Sequence, residues 1–498
     1  MPLVGSPARR APAIAIVLAA SLALSIFIAL RLPLLDPDEG RNAEVAREMA
    51  VGGDLVIPHL AGMPYLDKPP GYFWAAALSI RALGHTPFAA RLPSIIASLL
   101  TLWLVGRAAQ RAGGMRFAAI AMALLASAPL YAGLSAYVIF DMMLTLCVSL
   151  VWLGVAREVE EPEAALARGT TLRRLAMFTA IAAGILIKGP VMLAWALGGS
   201  LGAALMLRSR APLRWLAWWP GWIVALGIPG AWFAAAAARF PEYPHYAFLE
   251  ESFERLTSNS FHRQQGWWFV PAVLVGGTLP WSLVTPWRAT LSRDANARVG
   301  AASRVALGFA SFAGVFFTLS HSQLVTYLLP ALPALAWLAA AGWCAGLPEG
   351  RIRGVRLAVS LAISMALIGA LLLVGRNDSI APSGASMARA VAAAGGPPTV
   401  YQRCYSPGTD FLLGRASTLV SERGEETTSN YIARYRDSLV ARGQWRAFDR
   451  VPTSFSGLLV RSSRDTSRAP ELTRVWFGEG RRFIAYRVGM PADSAAGH

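Results

Sequence analysis

Apolar stretches close to the length needed to cross about 30 Å of hydrocarbon recur along the chain, and they fix its class before any motif is read. They run near 12–32, 90–108, 116–134, 138–156, 174–187, 189–207, 214–237, 267–286, 303–319, 323–346 and 354–375, eleven in all. With 55% hydrophobic and 15% charged residues among 498, the composition is that of a polytopic α-helical membrane protein. Arg9 and Arg10 precede the first stretch as they would in a signal peptide. Its apolar core is too long for one, and no small-residue cleavage site precedes Asp36, so it reads as an anchor. Cys147, Cys344 and Cys404 are widely spaced and suggest neither a disulfide framework nor a zinc cluster.

The net charge of +17 raises the question of nucleic acid, but the arginines cluster in alternate connections between spans. Taking the N-terminus as cytoplasmic, the inward loops hold Arg107, Arg111 and Arg116; Arg157, Arg168, Arg173 and Arg174; Arg208, Arg210 and Arg214; Arg288, Arg293, Arg298 and Arg304; and Arg351, Arg353 and Arg356. That is the positive-inside pattern, and it places 36–89, 239–266, the Lys188 turn and the tail after 376 outside. The segment 71–84, GYFWAAALSIRALG, is too short for a span and carries Arg81, so it reads as an interfacial helix. The domains expected are therefore a transmembrane part over 1–375, with outer loops 36–89 and 239–266, and an outer α/β domain over 376–498. In the latter, TVYQRCY, FLLGRASTLV and RFIAYRVG alternate like short strands. No phosphate-binding G-x-x-x-x-G-K-[ST] loop is present, which argues against an ATP-driven pump.

Chemistry-bearing residues gather at the outer edge. Of 46 basic residues two are lysine, Lys68 in DKPP and Lys188 in IKGP, positions where a compact ammonium suits a phosphate or carboxylate, or where lysine snorkels. Asp38 and Glu39 open a surface helix, EGRNAEVAREMA, where a carboxylate could equally cap the free amides. Asp141 lies about one turn inside a span, a costly place for a charge without a partner or a task. Glu250, Glu251 and Arg255 are spaced for a helical ion pair, and Tyr327 sits where an interfacial tyrosine anchors. His245 and His262 do not have the spacing of a metal-ligand pattern.

In order, PDEGRNAEVAREM, DKPP, AARLPS, DMMLT, IKGPV, FLEESFER, LPW and SHSQLVTYLLPALPAL resemble the bacterial aminoarabinose lipid A transferases over about residues 10–345. That family, with the protein O-mannosyltransferases, belongs to the GT-C glycosyltransferases. The resemblance implies a GT-C fold of about 11 spans, up to 13. It implies an inverting transfer of aminoarabinose or another sugar from a polyprenyl (undecaprenyl) phosphate donor to lipid A, another envelope glycolipid or a protein. By motif position Lys68, Arg255 and Tyr327 would contact the donor phosphate with Arg41 nearby, Asp38 would be the base and Asp141 would hold the acceptor. Glu39, Asp67, Lys188 and Glu251 would line the same cavity. Neither a cofactor nor a metal is expected, and the place implied is the bacterial inner membrane with the site on the periplasmic face. The chain departs from the family pattern at Asp67, where Glu is common, at Ile187, where Thr is common, and at Gln323 and Val325, where a Lys and a Pro usually stand. A transporter or flippase of lipid-linked sugars is the competing reading, and it predicts inverted repeats and helices broken near the midplane.

Overall fold

Out of water a backbone must satisfy its own polar groups, so apolar runs of this length fold as helices. The computed structural model describes residues 12–161, 168–254, 264–291, 297–346, 351–377, 380–463, 473–477 and 482–489. The chain divides into two units, one of 1–29 with 92–371 and one of 30–91 with 372–498.

Among the described residues eight helices are long and apolar enough to cross a membrane: Ala13–Arg31, Pro87–Ser127, Phe140–Glu160, Gly169–Lys188, Trp219–Arg239, Arg298–Leu319, Val325–Gly346 and Gly354–Gly375. Val191–Leu207 is shorter but equally apolar. Four of the expected stretches are realised differently. The runs 90–108 and 116–134 form one helix of 41 residues, interrupted where Gly114 takes φ 82° and ending before Pro129. The run 267–286 is broken into Phe269–Gly276 and Trp281–Val284. Its sequence GGTLP supplies two flexible residues and a proline that lacks the amide hydrogen a continuous helix needs. The run 323–346 begins as a 3-10 turn, Val325–Ala331, before the helix Leu332–Gly346.

Within the first unit, Phe140–Glu160 is central, packing against Arg168–Lys188, Ala297–Leu319 and Val325–Ala331. Trp152 meets Trp337 edge to face at 5.7 Å, and Trp337 meets Phe117 at 5.0 Å. Val191–Leu207 lies close along Ala297–Leu319 because glycines face each other. A Cβ on Gly202 would stand 2.5 Å from Gly308 O, and one on Gly308 2.2 Å from Ala203 N. Close backbone approach of this kind is how membrane helices gain contact without a hydrophobic driving force.

The second unit brings two distant parts of the sequence together. Its helix Asp38–Gly52 packs on Gly71–Leu83 and on Pro407–Leu413. The segment 71–84 is thus a helix within this unit, tied down by Trp74 Nε1 donating to Leu55 O at 2.7 Å and Arg81 Nε to Ala50 O at 2.8 Å. A short hairpin of β1 (His59–Leu60) and β2 (Met63–Pro64) turns through Ala61 and Gly62, both at positive φ. The remaining strands are β3 (Thr399–Gln402), β4 (Thr418–Val420), β5 (Gly457–Ser462), β6 (Thr473–Phe477) and β7 (Phe483–Val488). They form one sheet in the order β4-β3-β5-β7-β6, with β3 parallel to β4 and β5 and β7 antiparallel to β5 and β6. Val400, Val420 and Leu459 form its apolar centre with Phe455 and Tyr486. The stretch FLLGRASTLV is not one strand. Pro407 starts a helix that ends at Leu413, Gly414 caps it at φ 68°, and the strand begins at Thr418.

Candidate functional site

In the second unit the segment 32–41 is shaped by a buried arginine. Arg91 donates bidentately to Glu39, Nε to Oε1 at 2.9 Å and Nη2 to Oε2 at 2.7 Å, and to the carbonyls of Leu32 and Pro33 at 2.8 Å each. Both side chains are buried, and Glu39 Oε2 also accepts the Leu35 amide at 3.1 Å. Bidentate geometry and satisfied lone pairs are what make such a pair tolerable out of water. Glu39 therefore serves the frame of the loop and is the residue that meets the amides before the helix. Asp36 extends the frame, accepting from Ser406 Oγ at 2.7 Å and Gly408 N at 3.1 Å.

Asp38 is placed quite differently. It makes no cap bond, contrary to the alternative read from its position, and its side chain keeps 56% of its surface exposed. Its Oδ1 accepts from Arg41 Nη2 at 2.7 Å. Arg41 Nη1 in turn donates to Thr428 Oγ1 at 2.5 Å and to Thr428 O at 3.3 Å, and the guanidinium carbon lies 6.0 Å from the Tyr65 ring centre. Asp67 is buried, its two oxygens accepting the amides of Tyr431 at 2.8 Å and Asn430 at 3.2 Å. Lys68, half-buried, donates Nζ to Asp67 O at 2.8 Å, and Pro70 stands directly before the helix Gly71–Leu83. The DKPP turn thus has its acid pointing inward to bind backbone and its ammonium on the adjacent residue.

In the first unit Asp141 and Lys188 form an ion pair, with Asp141 2% and Lys188 10% exposed. Lys188 Nζ also stands 4.3 Å from the centre of the Tyr327 ring, a cation–π contact. One ammonium joins residues from three separated motifs, DMMLT, IKGPV and the stretch ending in YLLPAL. Nearby in sequence, Gln323 donates Nε2 to Thr318 O and Ser320 O, both at 3.2 Å, so the residue standing where lysine is usual ties up a turn. Glu250 faces His245 at 3.2 Å, and Glu251 lies in the π-helical segment Tyr246–Glu254. Arg255 and His262 lie outside the described residues.

Each unit thus gathers its own set, Asp38, Arg41, Asp67 and Lys68 in one, Asp141, Lys188 and Tyr327 in the other. Residue-level reading missed the roles of Arg91 and Thr428, and it placed Asp36 only among the carboxylates before the helix, not against Ser406 and Gly408. Arg91 was signalled by AARLPS, but nothing in the sequence pairs it with Glu39. Thr428 carried no sequence signal at all.

Residues 67–228 match the family described as dolichyl-phosphate-mannose-protein mannosyltransferase. The undecaprenyl phosphate-alpha-4-amino-4-deoxy-L-arabinose arabinosyl transferase of Pectobacterium carotovorum strain PC1 is 31% identical over 332 residues, 65% of this chain and 58% of that protein. The enzyme of the same name from Aeromonas salmonicida is 31% identical over 334 residues, 65% of this chain and 59% of that protein. The chain thus spans less than two thirds of the length of these relatives. The crystal structure of ArnT from Cupriavidus metallidurans bound to undecaprenyl phosphate superposes with a TM-score of 0.77 at 24% identity, covering 95% of this chain and 97% of that one. The fold is that of the GT-C membrane proteins.

Proposed function

We propose that this GT-C family member, a multi-pass membrane protein related to the bacterial aminoarabinose transferases, is an inverting glycosyltransferase that takes a sugar from a polyprenyl phosphate. The acceptor class proposed is an envelope glycolipid such as lipid A, or a protein. The setting proposed is the inner membrane, with the chemistry on its periplasmic face, the side to which the arginine pattern assigns residues 36–89.

The observation that carries this reading is the contrast among carboxylates. Glu39, Asp67 and Asp141 are buried and held by Arg91, by two backbone amides and by Lys188. Asp38 is exposed and oriented by a single arginine, the state a general base needs. In this reaction Asp38 takes the acceptor proton as the acceptor oxygen attacks the anomeric carbon. The bond from that carbon to the phosphate oxygen breaks, and its electron pair leaves with the polyprenyl phosphate. Lys68 and Arg41 meet the charge that develops on that leaving group. In the other unit, Lys188 pairs with the Asp141 carboxylate and stands against the Tyr327 ring. Cationic side chains supply the electrostatic stabilisation, and the reading calls for neither cofactor nor metal.

The test is transfer from radiolabelled polyprenyl-phosphate sugars in membranes, with and without a chelator, comparing the wild type with Asp38→Asn and Lys68→Ala at matched expression. Label should reach an acceptor in the wild type regardless of chelator, and both substitutions should lower transfer by about 100-fold or more. A donor that crosses the bilayer unaltered in all three proteins would replace the transferase by a flippase.

A further inference from the structure

The turn 424–431 is cross-linked by side-chain and backbone hydrogen bonds. Gly424 N donates to Ser421 Oγ at 2.7 Å, Thr427 Oγ1 to Gly424 O at 2.6 Å, Thr428 N to Glu425 O at 2.9 Å and Ser429 N to Thr427 Oγ1 at 3.3 Å. Ser429 Oγ accepts the Ile432 amide at 3.2 Å, and Thr427, Ser429, Tyr431 and Ile432 are all buried. Within this frame Thr428 is held at φ 56°, in the left-handed region that a β-branched residue normally avoids. Such a conformation is strained and persists where surrounding structure imposes it, commonly at functional sites.

What the strained residue does is visible in its bonds. Its hydroxyl donates to Thr427 O at 2.7 Å, so the oxygen is left to accept, and it accepts from Arg41 Nη1 at 2.5 Å. Arg41 is thereby gripped on two sides, Nη1 by Thr428 and Nη2 by Asp38, while its buried Nε has no hydrogen-bond partner among the described residues. A guanidinium has five donors in a fixed plane, so anchoring two edges aims the remaining ones. Two residues further on, the amides of Asn430 and Tyr431 hold Asp67, whose backbone oxygen receives Lys68 Nζ. One turn thus touches both of the cation-bearing segments, Asp38–Arg41 and Asp67–Lys68.

We propose that the turn 427–431 is the positioning element of the anion site, with the Thr428 hydroxyl setting the plane of Arg41 and the Asn430 and Tyr431 amides setting the turn that presents Lys68. This gives the C-terminal part of the chain a role in the reaction and rests on the donor-phosphate reading above. Thr428 is a positioning residue, acting through Arg41. Fixed donors cost no reorganisation when an anion arrives, which is why a lost anchor shows in binding and turnover more than in stability.

The experiment uses the full chain in detergent with undecaprenyl phosphate as the probe, measuring its Kd, the kcat and KM for sugar transfer, and the melting temperature. Thr428→Val keeps the shape and removes the accepting oxygen, and Thr428→Ser keeps the oxygen. The expected result is a roughly tenfold weaker Kd and a lower kcat for Thr428→Val, with the melting temperature within about 3 °C and with Thr428→Ser within about twofold of wild type. If Thr428→Val unfolds, an Arg41→Lys background decides by double-mutant cycle with Thr428→Ser and Thr428→Gly. The hydroxyl should then contribute nothing to binding once the guanidinium is gone, and an undiminished contribution overturns the proposal. Wild-type binding that Thr428→Val leaves unchanged also overturns the positioning role and leaves the donor site standing. Failure of the wild type to bind undecaprenyl phosphate removes the donor site and the positioning role together.

Discussion

Arg91 shows how much of this fold rests on single charges. Its guanidinium neutralises Glu39 and satisfies two carbonyls of the chain that leads to Asp38, all within the second unit. Removing one partner of a buried pair leaves the other charge uncompensated, a loss of about 3–5 kcal/mol. Arg91→Met should therefore lower the melting temperature sharply, whereas Arg91→Met combined with Glu39→Met should recover most of the loss. Thermal unfolding of the two variants in detergent checks this, and equal destabilisation of single and double variants would show that the frame depends on the carbonyl bonds instead. A reader of the sequence sees AARLPS and PDEG as separate motifs 52 positions apart and cannot see that they are one contact. Asp67 makes the same point. DKPP drew attention to its acid as a possible cavity group, yet that carboxylate binds the amides of Asn430 and Tyr431, a partnership set by more than 360 residues of intervening chain.

At the scale of elements, the packing of Asp38–Gly52 on Pro407–Leu413 gathers more acid than base. A Cβ on Gly40 would lie 2.6 Å from Gly408 N, so the two helices approach closely. In the turns that follow, Glu44 and Glu48 share the joint with Asp410, Tyr405 and Tyr401, and Arg47 is the neighbouring cation, bound to Glu44 and to Gly414 O; His85 lies against Gly414. Burial pushes the Asp410 carboxyl up to about 7 despite two bonds from Ser417, and it raises Glu44 and Glu48 above the usual carboxylate range. A carboxyl whose folded value is raised favours folding while protonated, so its contribution is full in acid and is lost as pH rises from about 4 through about 7. The difference in stability between wild type and Asp410→Asn should accordingly shift in favour of the variant over that window and level off above it. Unfolding midpoints at pH 5, 6, 7 and 8 test this, and a pH-independent difference would mean that Asp410 stays charged in the fold. Periodicity could locate the helix Asp38–Gly52, but not this joint, because apolar patterning says which face is buried and not what polar groups meet it. The same limit explains FLLGRASTLV, where an alternating pattern suggested a strand and Pro407 with Gly414 imposed a helix first.

At the scale of the whole molecule, composition and run length were enough to define a helical membrane protein, since the hydrocarbon leaves a chain few alternatives. What they could not show is where spans break, because Gly114 and the GGTLP segment cost little in a hydropathy average and much in a hydrogen-bond ladder. The distribution of arginine carries the remaining global inference, orientation. With five arginine-bearing connections on one side and the loop of Lys68 and the tail after 376 on the other, the number of crossings between residues 209 and 423 is odd. Ser209 and Arg423 are exposed, Cys147 and Cys404 are buried, and Cys344 is half-buried, so a maleimide that cannot cross membranes will report new cysteines once Cys344 is changed to serine. Labelling of Arg423→Cys in intact spheroplasts, with labelling of Ser209→Cys only after lysis, is the expected outcome. Reaction of both variants from the same side would require an even number of crossings and would put the arginines of 208–214 on the same side as residue 423. Asp38 and Lys68 would then lose the outer-face assignment on which a periplasmic acceptor depends.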